Sequence, residues 1–301
     1  MKNSKLKILV SFVTSALFLT LVFHNLALAQ ETSESDDQPT LESDIDCVSE
    51  FELTRLEAEA GDPEAQFSLA WSYEIGQDVE MDKALAVKWY RLAAEQGYAL
   101  AQLNLGLSYK WGEGVEKDLV ESLNWLRKAA AQNEPTALFA VGLAYGYGLA
   151  VEKNRETSLK WFRQAAEAGH MDAMYNLALA YDSGEGLPQD KTEAFKWYLL
   201  AAEKGQVKAQ FNLAVSYETG DGTPVNTVEA MKWYGKAAVR DHPGAQFNLG
   251  LSFYKGDGAP IDRDEGLKWI RRAANNKLPE AINFLKQLKK KPSISIFDLF
   301  N

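Results

Sequence analysis

The sequence is poor in the side chains that build reactive sites. One of its 301 residues is cysteine and three are histidine. The lone Cys47 cannot close an internal disulfide, so the fold has to stand on packing. It is either an incidental thiol or, in an oxidising compartment, half of an intermolecular bridge. Positive charge is short as well: 32 Lys and Arg stand against 42 Asp and Glu, a formal net charge of −10. That argues against nucleic acid as a partner, because phosphate binding needs a basic surface. No His/Cys/acid pattern has metal-ligand spacing, and no paired carboxylates or Ser/His/Asp constellation stand out. The sequence therefore predicts no metal, no cofactor and no catalytic residue. The glycosylation pattern Asn-x-Ser/Thr is also missing.

The amino terminus is built differently from the rest. Lys2, Lys5 and Lys7 precede an uncharged apolar stretch from Ile8 to Phe23. Ala27-Leu28-Ala29 then supplies small residues for cleavage before Gln30. Residues 1–29 thus predict a secretory signal peptide, with a periplasmic or secreted product and no membrane insertion after its removal. The stretch is slightly long for a signal and short for a span, so an uncleaved anchor stays open. Eight acidic residues and no basic one lie between Glu31 and Glu50. With so little to bury, residues 30–46 are expected to be a disordered linker.

What the rest of the chain has is a period. Trp89, Trp125, Trp161, Trp197, Trp233 and Trp269 are spaced by 36 residues without a slip. Ala65 through Ala281, the aromatic series Tyr73 to Phe253, and the Ala-Ala pairs from Ala93 to Ala273 keep the same step. Residues 62–277 divide into six units: 62–97, 98–133, 134–169, 170–205, 206–241 and 242–277. A fixed period of this length marks a solenoid, whose units bury their apolar sides only by stacking on one another. The period places the tryptophans in the core between units rather than on a ligand platform.

Each unit reads as two helices. In the first, Ala65, Leu69, Ala70 and Tyr73 recur at helical spacing, and Pro63, Pro135, Pro243 and Pro279 suit its opening turn. The second opens on Asp82, Asp118, Asn154, Asp190, Asn226 or Asp262. Glu121, Glu193, Glu229 and Glu265 follow at the capping-box position. It ends at Gly61, Gly97, Gly169 and Gly205, fit for a left-handed cap. Asp241 and Lys277 fit that slot less well, which predicts looser ends in the last units. Gly-x-Gly loops such as Gly112-Glu113-Gly114 join the helices. No strand precedes them and an acid sits in the middle, so they are turns that need positive φ, not phosphate loops. His170 and His242 fall at the start of first helices, as turn residues.

Three segments carry a family likeness: Ala-Gln-Phe-Asn-Leu-Gly at 245–250, Tyr109 ahead of the Gly112–Gly114 loop, and Lys-Trp-Tyr-x-x-Ala-Ala-Glu-x-Gly at 196–205. They resemble the Sel-one-like repeat family, a branch of the tetratricopeptide-like α/α solenoids. The resemblance implies an all-α, right-handed superhelix of six 36-residue helix-turn-helix repeats, with first helices lining a concave face. It also implies a scaffold or adaptor, often in bacterial envelope and signalling systems. Cysteine-rich relatives carry paired cysteines in each repeat; this chain has none there, so their activity does not transfer.

The ends complete the array. Residues 47–61 align with a second helix through Leu53, Ala58 and Gly61, and residues 278–291 with a first helix through Pro279, Ala281 and Leu285. Both are expected to be capping helices. The tail, 292–301, is apolar through Ile294, Ile296, Phe297, Leu299 and Phe300. It folds back on the last repeat, docks on a partner, or is disordered.

A candidate binding face emerges by subtraction of the constant core slots. Four remaining first-helix slots share one side. The second holds Ser68, Asn104, Ala140, Asn176, Asn212 and Asn248. The third is always Ser or Ala. The fourth runs Ile75, Trp111, Tyr147, then Ser183, Thr219, Lys255. Asn104, Asn176, Asn212 and Asn248 either hydrogen-bond a peptide backbone or bridge neighbouring repeats. Ile75, Trp111 and Tyr147 offer apolar anchors in the first half of the groove. Lys88, Lys160, Lys196, Lys232 and Lys268 line the second helices as a solvated ridge, with anionic lipid or polysaccharide as the other reading. The sequence thus predicts an exported scaffold that holds a protein or peptide; an envelope carbohydrate-handling enzyme or accessory factor is the alternative.

Overall fold

The computed structural model describes residues 49–290. The predicted signal segment, the acidic linker, Cys47 and the apolar tail lie outside them. Among the described residues there are fourteen α-helices and no strand. Helix α1 spans Glu50–Glu59. Six hairpins follow, each a first and a second helix: α2 Pro63–Ile75 and α3 Lys83–Glu95, α4 Ala99–Trp111 and α5 Leu119–Ala130, α6 Pro135–Tyr147 and α7 Arg155–Glu167. The series goes on with α8 Met171–Ser183 and α9 Lys191–Glu203, α10 Val207–Thr219 and α11 Thr227–Ala238, α12 Pro243–Lys255 and α13 Arg263–Asn275. Helix α14, Pro279–Lys290, closes the stack. From α2 onward each helix packs on the next. The result is the all-α solenoid of helical hairpins that the 36-residue step predicts.

The periodic residues are the ones that let helices approach. Ala101, Ala137, Ala173, Ala209, Ala245 and Ala281 are each fully buried, as are Ala93, Ala129, Ala165, Ala201, Ala237 and Ala273. With no side chain beyond Cβ, both rows allow backbones to close without loss of rotamer freedom. The tryptophans fill the gaps between repeats. Trp125 and Trp233 are buried in the core clusters, and Trp89, Trp161, Trp197 and Trp269 pack half-buried against them.

The caps behave as predicted on one side of each box and differently on the other. Asp82 Oδ1 accepts from the Leu85 N–H at 2.9 Å, and Asp118, Asn154, Asp190, Asn226 and Asp262 cap their helices in the same way. The reciprocal arm of the capping box is not made. The Asp190 N–H goes instead to the Tyr181 carbonyl at 2.9 Å, and every hairpin repeats this bond. The aromatic slot thus closes the loop through its backbone, and the glutamates are free to turn outward. Glu193, Glu229 and Glu265 pair with Lys196, Lys232 and Lys268.

The predicted looseness at Asp241 and Lys277 is also corrected. Both adopt the left-handed conformation, φ 64° and 63°, that Gly97 has in its repeat. The Asp241 and His242 amides bond the Ala238 and Ala237 carbonyls, the same pair of bonds that closes α3. Asp241 is held there because its carboxylate accepts from Arg272 at 2.8 Å and from Gln246 at 3.2 Å. The loops need positive φ as expected: Gly112 and Gly114 lie at 75° and 69°. The second glycine has an additional reason. A Cβ at Gly114 would sit 2.0 Å from the Lys83 carbonyl oxygen, and one at Gly222 equally close to that of Lys191. The loop of one repeat rests on the start of the preceding second helix.

Polar ties run from repeat to repeat. Gln96 Nε2 donates to Gln66 Oε1 at 2.9 Å and to the Gly61 carbonyl at 3.0 Å, while Gln66 donates to the Ala58 carbonyl. Gln132 and Gln102 repeat the arrangement one unit on.

Candidate partner-binding face

The first helices turn their alanine–leucine side to the core and leave a stripe facing solvent. On α2 the exposed residues are Glu64, Ser68, Trp71 and Ile75. At the end of that stripe Ile75 is 49% exposed, and Trp111 and Tyr147 occupy the same slot at 65% and 73%. The Lys110 ammonium lies 4.8 Å from the Trp111 ring centroid, which holds a cation over an otherwise open indole face. Ser183, Thr219 and Lys255 continue the slot, all exposed.

The middle of the stripe is not an open row. Ser108, Ala144, Ala180, Ser216 and Ser252 are buried. The Ser108 and Ser252 hydroxyls turn back to the Asn104 and Asn248 carbonyls, at 2.9 and 3.0 Å. The small third slot therefore serves packing beneath the surface.

The amides are half-buried and have partners in the protein. The Asn104 amide lies beside the Tyr90 hydroxyl of the preceding repeat, Asn212 beside Tyr198, and Asn248 beside Tyr234, each acting to lower the phenol's pKa. The same hydroxyls donate to carboxylates: Tyr90 to Glu74 at 2.5 Å, Tyr198 to Asp182 at 3.2 Å, Tyr234 to Glu218 at 2.6 Å. Burial first, and the adjacent carboxylate with it, pushes all three phenols well above the ordinary tyrosine range. Asn176 donates instead to the Asp172 carbonyl of its own helix at 2.7 Å. An amide with one N–H committed keeps an oxygen and a second N–H for other partners.

A tie between neighbouring repeats is one of the two expectations for these amides; their tyrosine and acid partners were missed in the sequence, although the signal is there. Tyrosine follows tryptophan only in repeats one, four and five. Those repeats carry Glu74, Asp182 and Glu218 sixteen residues earlier. They also carry Ala70, Ala178 and Ala214, where the other repeats have Gly106, Gly142 and Gly250. In those others Leu126, Phe162 and Ile270 press so close that a Cβ would lie 2.6–2.8 Å away. Repeats one, four and five thus use a polar strut, and repeats two, three and six a deeper apolar plug.

The remaining candidates lie away from this face. His170 and His242 cap α8 and α12: their Nδ1 atoms accept from Ala173 and Ala245 at 3.3 and 3.1 Å. Their rings stack on Phe139 and Phe211, with centroids 4.4 and 4.5 Å apart. Desolvation pulls both imidazoles below the usual histidine value. Lys88, Lys160, Lys196, Lys232 and Lys268 are all exposed, and Lys160 joins the paired lysines through Glu156 at 2.7 Å. Four of the five charges on the ridge are therefore locally balanced. Among the described residues no cluster of three or more His, Cys, Asp or Glu is placed to hold a metal, and no helix is long and apolar enough to cross a membrane.

Known proteins share this architecture. A protective antigen of uropathogenic Escherichia coli strains, which displays an SLR fold, is 33% identical with a TM-score of 0.73 over 77% of this chain. The match takes in 50% of that antigen, so the chain spans about half its length. A Sel1 repeat protein from Oxalobacter formigenes is 36% identical with a TM-score of 0.61, over 71% of this chain and 85% of that one. No curated protein matches the chain. The Sel1 repeat model matches residues 63–98, 99–134, 135–170, 172–206, 207–242 and 243–278, and the chain belongs to the Sel1 repeat family.

Proposed function

We propose that the chain is an exported scaffold that holds a protein or peptide partner in a concave groove lined by its first helices, in envelope signalling or assembly. Proteins built of Sel1 repeats are in general protein-interaction scaffolds. Ile75, Trp111 and Tyr147 are the apolar anchors in this reading. Asn104, Asn176, Asn212 and Asn248, with the polar fourth slots beyond, give the partner polar contacts. The observation that carries it is the exposure of Trp111 and Tyr147, 65% and 73%, at one slot of consecutive repeats. An aromatic left this open contributes little to folding, while aromatics are the anchors on which interfaces concentrate their energy. Their contiguity makes a patch rather than scattered apolar residues.

The test is retention of proteins from an envelope extract by the immobilised chain. Trp111→Ala and Tyr147→Ala should each lose a retained protein and melt like the wild type. Lys160→Ala, on the second-helix ridge, should retain it. Equal retention by all three variants defeats the reading.

A further inference from the structure

Three of the five junctions between repeats carry a strut; the fourth has Leu199 in place of the arginine but keeps Tyr217, and the fifth has lost both members. Arg91 donates to the Tyr109 hydroxyl at 2.5 Å, Arg127 to Tyr145 at 2.9 Å, and Arg163 to Tyr181. Each guanidinium also lies over its ring, 5.7–5.8 Å from the centroid. Between repeats five and six the arginine slot holds Gly235 and the tyrosine slot holds Phe253. Both halves of the strut have gone together. A cavity of about 460 Å³ stands there, floored by Leu249, Phe253 and Trp269 and walled by Val228 and Met231.

Packing does not ask for that glycine. A Cβ at Gly235 would meet nothing within 4 Å, whereas one at Gly266, the other second-helix glycine, would lie 2.6 Å from the Gly250 carbonyl oxygen. An interior helix glycine costs ~1 kcal/mol against alanine. The vacancy is thus made at a cost, in an apolar wall, at a size within the ordinary range for ligand sites.

We infer that this cavity receives the chain's own carboxy-terminal apolar segment, with Phe297 as the leading side chain. The segment leaves from a helix one place removed from it. Helix α14 packs on α13, which forms one wall of the cavity through Glu265 and Trp269. The floor residues Leu249 and Phe253 belong to the carboxy-terminal half of α12. That is the end at which first helices hand over to their loops, and Lys290 is the corresponding end of α14. Phe297 is seven residue steps beyond Lys290, a reach of ~24 Å when extended. One packed helix has to be crossed, ~10 Å. Ile294, Ile296, Phe297, Leu299 and Phe300 match the apolar floor and walls, and Asp298, the only charge among residues 292–301, can face Lys232 on the rim.

The test is a disulfide trap in the full chain, with Cys47→Ser, Val228→Cys and Phe297→Cys. Mild oxidation should give a monomer of increased mobility on a non-reducing gel. Adding Gly235→Arg, which restores the side chain found at three other junctions, should abolish it. Should that variant melt early, Leu299→Asp with Phe300→Asp does the same from the tail and leaves the stack untouched. A covalent dimer in place of the fast monomer overturns the inference in favour of a second copy's tail. Absence of any cross-link, or a cross-link that survives the blocking variants, overturns it outright.

Discussion

The Tyr90 hydroxyl donates to the Glu74 carboxylate at 2.5 Å, across the two helices of the first repeat, with Asn104 of the second beside it. Tyr198 and Tyr234 do the same in repeats four and five. Their folded-state affinity for the proton is raised, and that of the unfolded phenols is not. Above a pH near the ordinary value of 10 the unfolded chain releases these protons while the folded one keeps them. Stability from the bridges is complete below that pH and is lost as pH rises further. The melting temperature should hold from neutral to mildly alkaline pH and then fall. Combined Tyr90→Phe, Tyr198→Phe and Tyr234→Phe should flatten that fall. A hydrogen bond to a charged acceptor contributes ~1.5–3 kcal/mol, which sets the loss expected from Tyr234→Phe at neutral pH. Thermal melts across pH decide both points; an unaltered alkaline limb in the triple variant counts against the bridges.

The histidine caps predict a slope on the acid side. Nδ1 of His170 and of His242 must be unprotonated to accept from the helix amide, and burial lowers both pKa values. Above pH 6.5 both states are neutral and the contribution is whole. As pH falls below that value the unfolded imidazoles bind protons first, and stability declines until the folded-state values are passed. Replacing each with Asn keeps a capping acceptor that does not titrate. His170→Asn with His242→Asn should therefore reduce the loss between pH 7 and 5, measured by urea denaturation at each pH.

Much of this molecule was legible in the sequence because a solenoid repeats its requirements. Each core slot is read six times, so Trp161 or Ala165 is identified by its copies as well as by its own context. The aspartate and asparagine caps were legible for the same reason. What escaped is whatever depends on the partner of a slot. The capping-box glutamates looked reciprocal, but the aromatic-slot carbonyl had already taken the N–H. For Asn104, Asn212 and Asn248 the sequence leaves a peptide and a neighbouring repeat both open, and nothing in those slots names Tyr90, Tyr198 and Tyr234 as the groups beside them. Asp78 and Ala150, left-handed at φ 61° and 56°, sit in the slot of Gly114 and could not be told from ordinary loop residues. Ile75, Trp111 and Tyr147 stood out because they break the regularity.

Two glycines with the same backbone sign make a comparison of packing against conformation. Gly97 and Gly114 both need positive φ, 93° and 69°. A Cβ at Gly97 meets nothing within 4 Å, and one at Gly114 collides with the Lys83 carbonyl. Gly97→Ala should cost only the left-handed penalty, ~1–2 kcal/mol. Gly114→Ala should cost clearly more, since the first and second repeats must separate to admit it. Chemical denaturation of both variants checks the order, and equal losses would show that the loop does not rest on the preceding helix.

Two tryptophans, Trp111 and Trp161, separate the stack from its surface. Trp161 packs half-buried against the main core between repeats, and Trp111 is 65% exposed at the end of a first helix. Removing the packed, half-buried indole leaves a void that rigid neighbours close only in part, a loss of ~3 kcal/mol for Trp161→Ala. In a stack stabilised by nearest-neighbour interfaces, a break in the third of six repeats also uncouples the two halves. The denaturation curve should therefore broaden or split as well as shift. Trp111→Ala removes little that folding uses and should stay within ~0.5 kcal/mol of wild type with one cooperative transition. A cooperative, unshifted curve for Trp161→Ala would place that ring outside the core, and a large shift for Trp111→Ala would make the proposed anchor a structural residue.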